Sequence, residues 1–376
     1  MTGKNQSYAR CLNNRLVMRE LRKAESSATM LSRELDLSNA ALSSIIGELK
    51  RGGYIREVEG ETAATTGAIG RRPVYYSINE KFGCVAAIGL ANHRAQIAIS
   101  DMKMNITDFS ETRVERYDVA TVYELALALK DMLGKPEYRD VPLLGIDVSV
   151  PGRVNTLSNE LQLAPQFDKD LFSEKNYIVS LFERLFGVPV KMSNDICLAG
   201  HAEMHRGLLA GVNNGMLVDV DEGIGGALVL DGKLYYGSQG FAGEIGLVRT
   251  EFEGNFDALD EFVSLRAIKA RLGVMHTDEA LALFGSDEKA KAYVLSTAHC
   301  LGRVLKDMVE LLDVSTIVIS GRAKRFGEEY MAAVNAEISR SSSKCTAVPS
   351  ELGTDASVIG AVSKAVESLT DAAFDG

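Results

Sequence analysis

The chain has 376 residues, enough for two or three domains, and its 46% hydrophobic and 24% charged content is that of a soluble globular protein. No run of about 18 apolar residues occurs, which argues against a membrane-spanning helix, and the first residues lack the apolar core of a signal peptide. Five cysteines without Cys-x-x-Cys spacing give neither a disulfide framework nor a cysteine zinc site, which fits a reducing cytoplasm.

A net charge of −10 speaks against binding nucleic acid over the whole surface. The charge is unevenly placed, however. Residues 1–80 carry 12 Lys and Arg against 9 Asp and Glu, a balance of +3, and the rest of the chain carries −13. Phosphate contact needs local positive charge only.

In residues 14–21, Leu16, Val17 and Leu21 mark a helical apolar face. Ser26 or Ser27 caps a second short helix carrying Met30, Leu31 and Leu35 as core candidates. A tight turn and a new N-cap over residues 35–39 lead to a third helix, residues 40–51, with Leu42, Ile45, Ile46 and Leu49 inward. The opposite side of this third element offers Ser38, Asn39, Ala41, Ser43, Ser44, Lys50 and Arg51, small or polar groups that suit close approach to base edges. Gly52 and Gly53 end the helix. Strands at 54–58 and 74–78 follow, joined by a glycine-containing stretch that ends in Arg71 and Arg72, candidates for phosphate or minor-groove contact. Three helices and a β-hairpin in this order predict a winged helix-turn-helix over residues 1–80 that binds DNA. A three-helix oligomerisation module with solvated arginines is the plainer alternative.

From about residue 83 the pattern changes. Strand-like runs at 85–90, 95–100, 143–151, 215–220 and 316–320 alternate with helical stretches at 122–133, 198–209 and 288–312, the signature of an α/β fold. Gly223-Ile-Gly-Gly-Ala stands just after a strand, where backbone amides can approach a ligand.

Six blocks then occur in a characteristic order: Ser149-Val-Pro-Gly-Arg-Val-Asn155, Ser193-Asn-Asp195, the run from Gly223 to Tyr235, Gly240-Phe-Ala-Gly-Glu-Ile-Gly246, Ser320-Gly-Arg322 and Asp355-Ala-Ser-Val-Ile-Gly-Ala361. In these the chain resembles the ROK family of repressors, open reading frames and sugar kinases, and its head resembles that of the repressor branch. The resemblance implies a two-lobed, actin-like (ribonuclease H-like) ATPase-type domain. Its first lobe would span 81–195, completed by a C-terminal helix at about 356–372. The second, spanning 196–355, would carry a dimerisation surface.

The resemblance also implies a sugar site between the lobes, with Asp195 at the position of the catalytic base. Gly152, Arg153, Asn194 and Glu244 would hydrogen-bond the sugar, and Asp260 stands where a further sugar-binding glutamate is usual. Convergent carboxylates and amides suit hydroxyls that both donate and accept. The plainer reading of Asn194-Asp195 is a strand-end turn closed by an Asx bond. The family's first phosphate loop, Asp-x-Gly-Gly-Thr, aligns with Ala91-Asn92-His93-Arg94-Ala95, and Asp221-Glu222-Gly223 replaces Gly-Thr-Gly in the second. Phosphoryl transfer depends on positioning and charge neutralisation, so kinase activity is not expected, and the two carboxylates should repel a nucleotide. The family's zinc ligands fall at Leu247, Glu251, Glu253 and Ala258, which make no zinc site. No cofactor or metal is therefore expected. His201 and His205 have the i, i+4 spacing of metal ligands but no evident third ligand, and read as surface or packing residues.

The function expected is ligand-controlled repression. A homodimer, or dimer of dimers, would bind an inverted-repeat operator and release it when a sugar or sugar phosphate enters the cleft. Two rivals are a sugar kinase with a DNA-binding head, and a repressor with a vestigial sugar site controlled by a protein partner.

Overall fold

A computed structural model describes residues 2–59, 73–155, 158–164, 167–173 and 177–374. Arg71 and Arg72, singled out above, lie outside the described residues.

The head begins with a helix over Thr2–Lys23, longer than its apolar stripe suggests. Two helices follow, Ala28–Glu34 and Asn39–Arg51, capped by the hydroxyls of Ser27 and Ser38, which accept from the amides of Met30 and Ala41. Val17, Leu21, Leu31, Leu42, Ile45, Ile46 and Leu49 are buried together. Met30 does not join them: it is 49% exposed, because a seven-residue helix shows too few turns for its inner face to be read from periodicity. Strands Ile55–Val58 and Tyr75–Ile78 pair antiparallel, and Ser26–Ser27 adds a short third strand that the sequence pattern did not reveal.

Two five-stranded sheets form the body. In the first, the order is Val190–Asn194, Leu143–Val150, Cys84–Ala91, Arg94–Asp101, Ile106–Arg113. In the second it is Thr346–Pro349, Thr316–Ser320, Gly215–Val220, Ile224–Leu230, Lys233–Tyr235. The plan is the same in both: a three-stranded antiparallel meander extended, beyond its first strand, by two parallel strands in succession. The near-continuous burial of Cys84–Ala91 and Leu143–Val150 explains their largely apolar sequences, broken only by the buried Asp147 and Ser149, since central strands are covered on both faces.

Two helices bridge the parts. Asp195–Arg206 leaves the edge strand of the first sheet and packs on the second. The C-terminal helix Ala356–Phe374 lies across the first sheet and against Asp195–Arg206. Their crossing is tight at Gly360, where a Cβ would stand 1.8 Å from the Leu198 carbonyl oxygen, so only glycine fits. The core of the head is continuous with this junction: Val17, Leu21 and Ile78 share one apolar cluster with Val85, Ala98, Leu198, Val358 and Val362. Arg22 donates to Thr370 and Arg15 pairs with Asp371 at 2.7 Å, fixing the first helix to the last. No helix among the described residues is long and apolar enough to cross a membrane.

Candidate functional site

The cleft between the two sheets is built at strand ends, the usual place for a ligand in α/β folds. Asn194 ends the edge strand of the first sheet and caps Asp195–Arg206, its Oδ1 accepting from the Cys197 amide at 2.9 Å. Its Nδ2 donates to the Gly152 carbonyl at 2.9 Å and to Asp195 Oδ1 at 3.2 Å. The Asx bond of the plainer reading is therefore present, and the same bonds hold the Gly152 turn and the Asp195 carboxylate in fixed relation. Desolvation in the cleft pushes Asp195 up to about 7, and the carboxylates of Asp219 and Asp221 across it add to the effect.

Arg153 and Glu244 face each other from opposite lobes, Nε to Oε1 at 3.4 Å, and the guanidinium also lies 5.8 Å from the Phe241 ring centre. The structure thus brings Gly152, Arg153, Asn194, Asp195 and Glu244 to one cleft. Asp260 is differently engaged. One of its oxygens accepts from the Ile224 amide at 2.7 Å and the other pairs with Arg266 at 2.8 Å, so both are already used in shaping the turn before Ile224.

Beneath the cleft lies a buried network that local sequence pattern does not signal. Ser193 donates to Asp147 at 3.0 Å, and Lys364 of the C-terminal helix reaches both Ser193 and Asp147. Burial pushes Asp147 up to about 6 against the pull of Lys364 and Ser193. In the second lobe Ser320 bonds Asp219 at 2.7 Å, and burial pushes Asp219 also to about 6.

The two meander turns that face the cleft are filled by arginines. At the first, His93 takes a left-handed φ of 58°, and Arg94 donates to Thr354 Oγ1 and to its carbonyl, both at 2.9 Å. Gln96 bonds Asp355 at 2.6 Å beside it. At the second, Asp221 receives Arg322 through the side chain and through the backbone amide at 3.1 Å. Glu222 receives Arg322 at 2.9 Å and Lys269 at 2.7 Å. The expected repulsion of a nucleotide by Asp221 and Glu222 is therefore corrected: two cations neutralise the pair, and the turn is occupied by protein side chains.

Residues 249–258, aligned above with the family's zinc ligands, form a hairpin of Arg249–Phe252 and Asn255–Ala258 with Arg249 stacked on Phe256. Glu253 pairs with Arg271 at 3.6 Å, and Leu247 is 54% exposed.

On the head, Ser38, Asn39, Ser43, Ser44, Lys50 and Arg51 are exposed along one side of Asn39–Arg51, with Ala41 half-buried. Ser38 is committed to its cap and Lys50 is paired with Glu57.

A family model described as the ROK family matches residues 85–367. The chain is 24% identical over 355 residues to a xylose repressor of Caldicellulosiruptor bescii, covering 87% of each. It is 24% identical over 253 residues to the DNA-binding transcriptional dual regulator NagC of Escherichia coli, covering 65% of this chain and 60% of that one. Among solved structures, a ROK family transcriptional regulator, homolog of the E. coli MLC protein, superposes with a TM-score of 0.77 at 18% identity over 93% of this chain and 95% of that one. A ROK hexokinase from Thermus thermophilus gives 0.65 at 22% identity, over 77% of this chain and 99% of the hexokinase. With the family model spanning most of the body, and with the α/β architecture shared by regulator and kinase alike, the chain belongs to the ROK family.

Proposed function

We propose that this chain is a sugar-responsive transcription repressor that has lost phosphoryl transfer. The observation that carries this reading is the filling of both meander turns, by Arg94 on Thr354 and by Arg322 on Asp221 and Glu222, beside a cleft that keeps the polar set of Asn194, Asp195, Arg153 and Glu244. Phosphoryl transfer needs oriented phosphates and a held metal; arginine plugs leave neither place. Polyol binding needs only convergent donors and acceptors. Relatives named as repressors support the same reading.

The head acts as a winged helix-turn-helix. Its third helix enters the major groove with Asn39, Ala41, Ser43 and Ser44 toward base edges, and Lys50, Arg51, Arg71 and Arg72 serve phosphate. Two heads of a homodimer, or of a dimer of dimers, read an inverted repeat in the cytoplasm.

A sugar or sugar phosphate competes for Arg153 and Glu244, the pair that spans the lobes, and hydrogen-bonds Asp195 and the backbone at Gly152. Asp260 holds the adjoining turn and offers the ligand at most its carboxylate edge. The change of lobe spacing passes along Asp195–Arg206 to the C-terminal helix and so to the first helix of the head, through Thr370 and Asp371. The ligand shifts the population toward heads set at the wrong spacing, and the operator is released.

The test is an operator-binding titration with a panel of sugars and sugar phosphates, run on wild type and on Asp195→Ala. Wild type releases DNA with one member of the panel, and Asp195→Ala binds DNA normally but ignores that member. A variant that still responds sinks the site. ATP turnover in the same preparation would overturn the loss of kinase activity.

A further inference from the structure

His201 and His205 stand one turn apart on Asp195–Arg206, so their rings share a face. The rings stack at 4.9 Å between centres with 21° between planes. The third partner comes from the far end of the sequence. The C-terminal helix, brought close by Gly360, places Glu367 against both imidazoles: His201 Nε2 is 3.4 Å from one carboxylate oxygen and His205 Nε2 is 3.1 Å from the other. Ligand atoms of all three residues lie within 4.8 Å of one another, and this is the sole such group among the described residues.

We propose that His201, His205 and Glu367 form a binding site for a zinc-class divalent cation at the junction of sensor and head. Two imidazoles and one carboxylate are a recurrent zinc set that leaves a fourth position for water. Bonds of about 2.0–2.1 Å in a tetrahedron place neighbouring ligand atoms about 3.3 Å apart; each imidazole nitrogen stands near that distance from its own Glu367 oxygen, and the three ligand atoms, within 4.8 Å of one another, must draw together slightly to share one ion. His205 and Glu367, at 25% and 32% exposure, give the ion a way in from solvent, while His201 forms the inner wall at 11%.

The surroundings select the kind of ion. Arg22, bonded to Thr370 on the next turn from Glu367, and Lys364, one turn before it, are the cations facing the cluster. Both lower the affinity for any dication, and the donor set of two imidazoles and a single carboxylate then favours an imidazole-preferring ion over calcium or magnesium. Nδ1 of His201 is buried without a hydrogen-bond partner, so the site lacks the outer-shell acceptor that raises affinity in dedicated zinc sites. A bound ion would clamp the helix that starts at Asp195 to the helix that holds Arg15 and Arg22 of the head. The site stands on its own geometry and does not depend on which sugar the cleft takes.

The test uses chelator-treated full-length protein and Co2+ as the probe. We expect d–d absorption bands of a four- or five-coordinate ion, saturating at one equivalent, reversed by Zn2+ and accompanied by a rise in Tm. His205→Ala should weaken binding more than about 100-fold, beyond the loss from an outer-shell contact. Glu367→Gln keeps the size of the side chain and should weaken it at least about 10-fold, so a folding defect in one variant does not decide the matter. Absence of such bands, a six-coordinate spectrum alone, or bands unchanged in His205→Ala and Glu367→Gln would overturn the site.

Discussion

The two lobes repeat one strand order, yet they close the turn between their first two strands by different chemistry. In the first lobe Arg94 folds onto Thr354 and lies near the exposed carboxylates of Glu111 and Asp355. In the second, Arg322 and Lys269 meet Asp221 and Glu222 in a half-buried cluster of balanced charge. The first turn has no glycine and the second keeps only Gly223 of its pattern, and each has an internal guanidinium bonded beside it. An arginine can satisfy several acceptors in fixed geometry at once, so one residue type is enough to fill either turn. The comparison teaches that the same strand plan accommodates an internal guanidinium beside either turn, provided each charge has a partner.

What holds the lobes in register is the helix crossing, and breaking it should have the largest effect. Gly360→Ala drives a Cβ into the Leu198 carbonyl, a backbone atom that cannot swing away. We expect a loss of about 3 kcal/mol or more, at the upper end of overpacking costs, read as a lower urea midpoint with the m-value unchanged. Because the same crossing joins head to body, the variant should also lose sugar-dependent release before it loses operator binding. A midpoint within error of wild type would mean the helices slide freely, and the proposed route from cleft to head would fail with it.

The next effect has the opposite sign. Asp195 titrates at about 7 in the fold, well above an ordinary aspartate, so the native state holds the proton more tightly than the unfolded chain. The stability tied to that proton is fully present below about pH 4, the unfolded value, and is lost as pH rises through about 7. Asp195→Asn keeps the acceptor for the Ile196 amide and removes the ionisation. It should stabilise the ligand-free protein at pH 8 by up to about 4 kcal/mol and leave it little changed at pH 4, seen as converging Tm curves. Loss of sugar response alongside this gain would identify a carboxylate kept for binding at the expense of stability. Parallel curves would show that the cleft does not desolvate it.

Much of this was legible in advance, and the parts that were not share a cause. The strands at 143–151 and 215–220 were read from largely apolar runs, because burial on both faces leaves few polar positions, and the interruptions at Asp147 and Asp219 belong to the buried network beneath the cleft. The helical stretch read at 288–312 coincides with helix Glu288–Leu312, and the structure adds its cap, the Asp287 side chain. The turn and cap read within residues 35–39 announced the third helix of the head, which Ser38 caps one residue earlier than the expected start. The cleft residues were visible only as blocks resembling a family. What they do to one another was not: Arg153 and Glu244 are 91 positions apart, Arg322 and Asp221 are 101 apart, and Lys364 reaches Ser193 across 171. Side-chain pairs made by topology leave no local period. Glu367 completing the histidine pair is the sharpest instance, since the i, i+4 spacing was plain and the third partner invisible. The reading of Asp221 and Glu222 as a repulsive pair failed for the same reason.

The two arginine plugs themselves provide the smaller contrasts. Arg322→Ala leaves Asp221 without its cation and Glu222 with Lys269 alone. The Arg322 side chain is 42% exposed, so the cost should fall between that of an exposed and a buried pair, roughly 1–2 kcal/mol. Arg94→Ala removes two bonds to Thr354 and contacts with Glu111 and Asp355; Arg94 is itself 25% exposed, but these carboxylates are 45% and 49% exposed and can be rehydrated, so the cost should be about 1 kcal/mol. The difference should also respond to salt: the Arg322 cluster, partly shielded from solvent, keeps most of its contribution at 0.5 M salt, while the ionic share of the Arg94 contacts fades. Equal costs for the two variants, or a reversed order, would mean that the second turn is as open to water as the first. In that case its carboxylates would be free to repel a nucleotide after all, and charge, not occupancy, would be what keeps phosphates out.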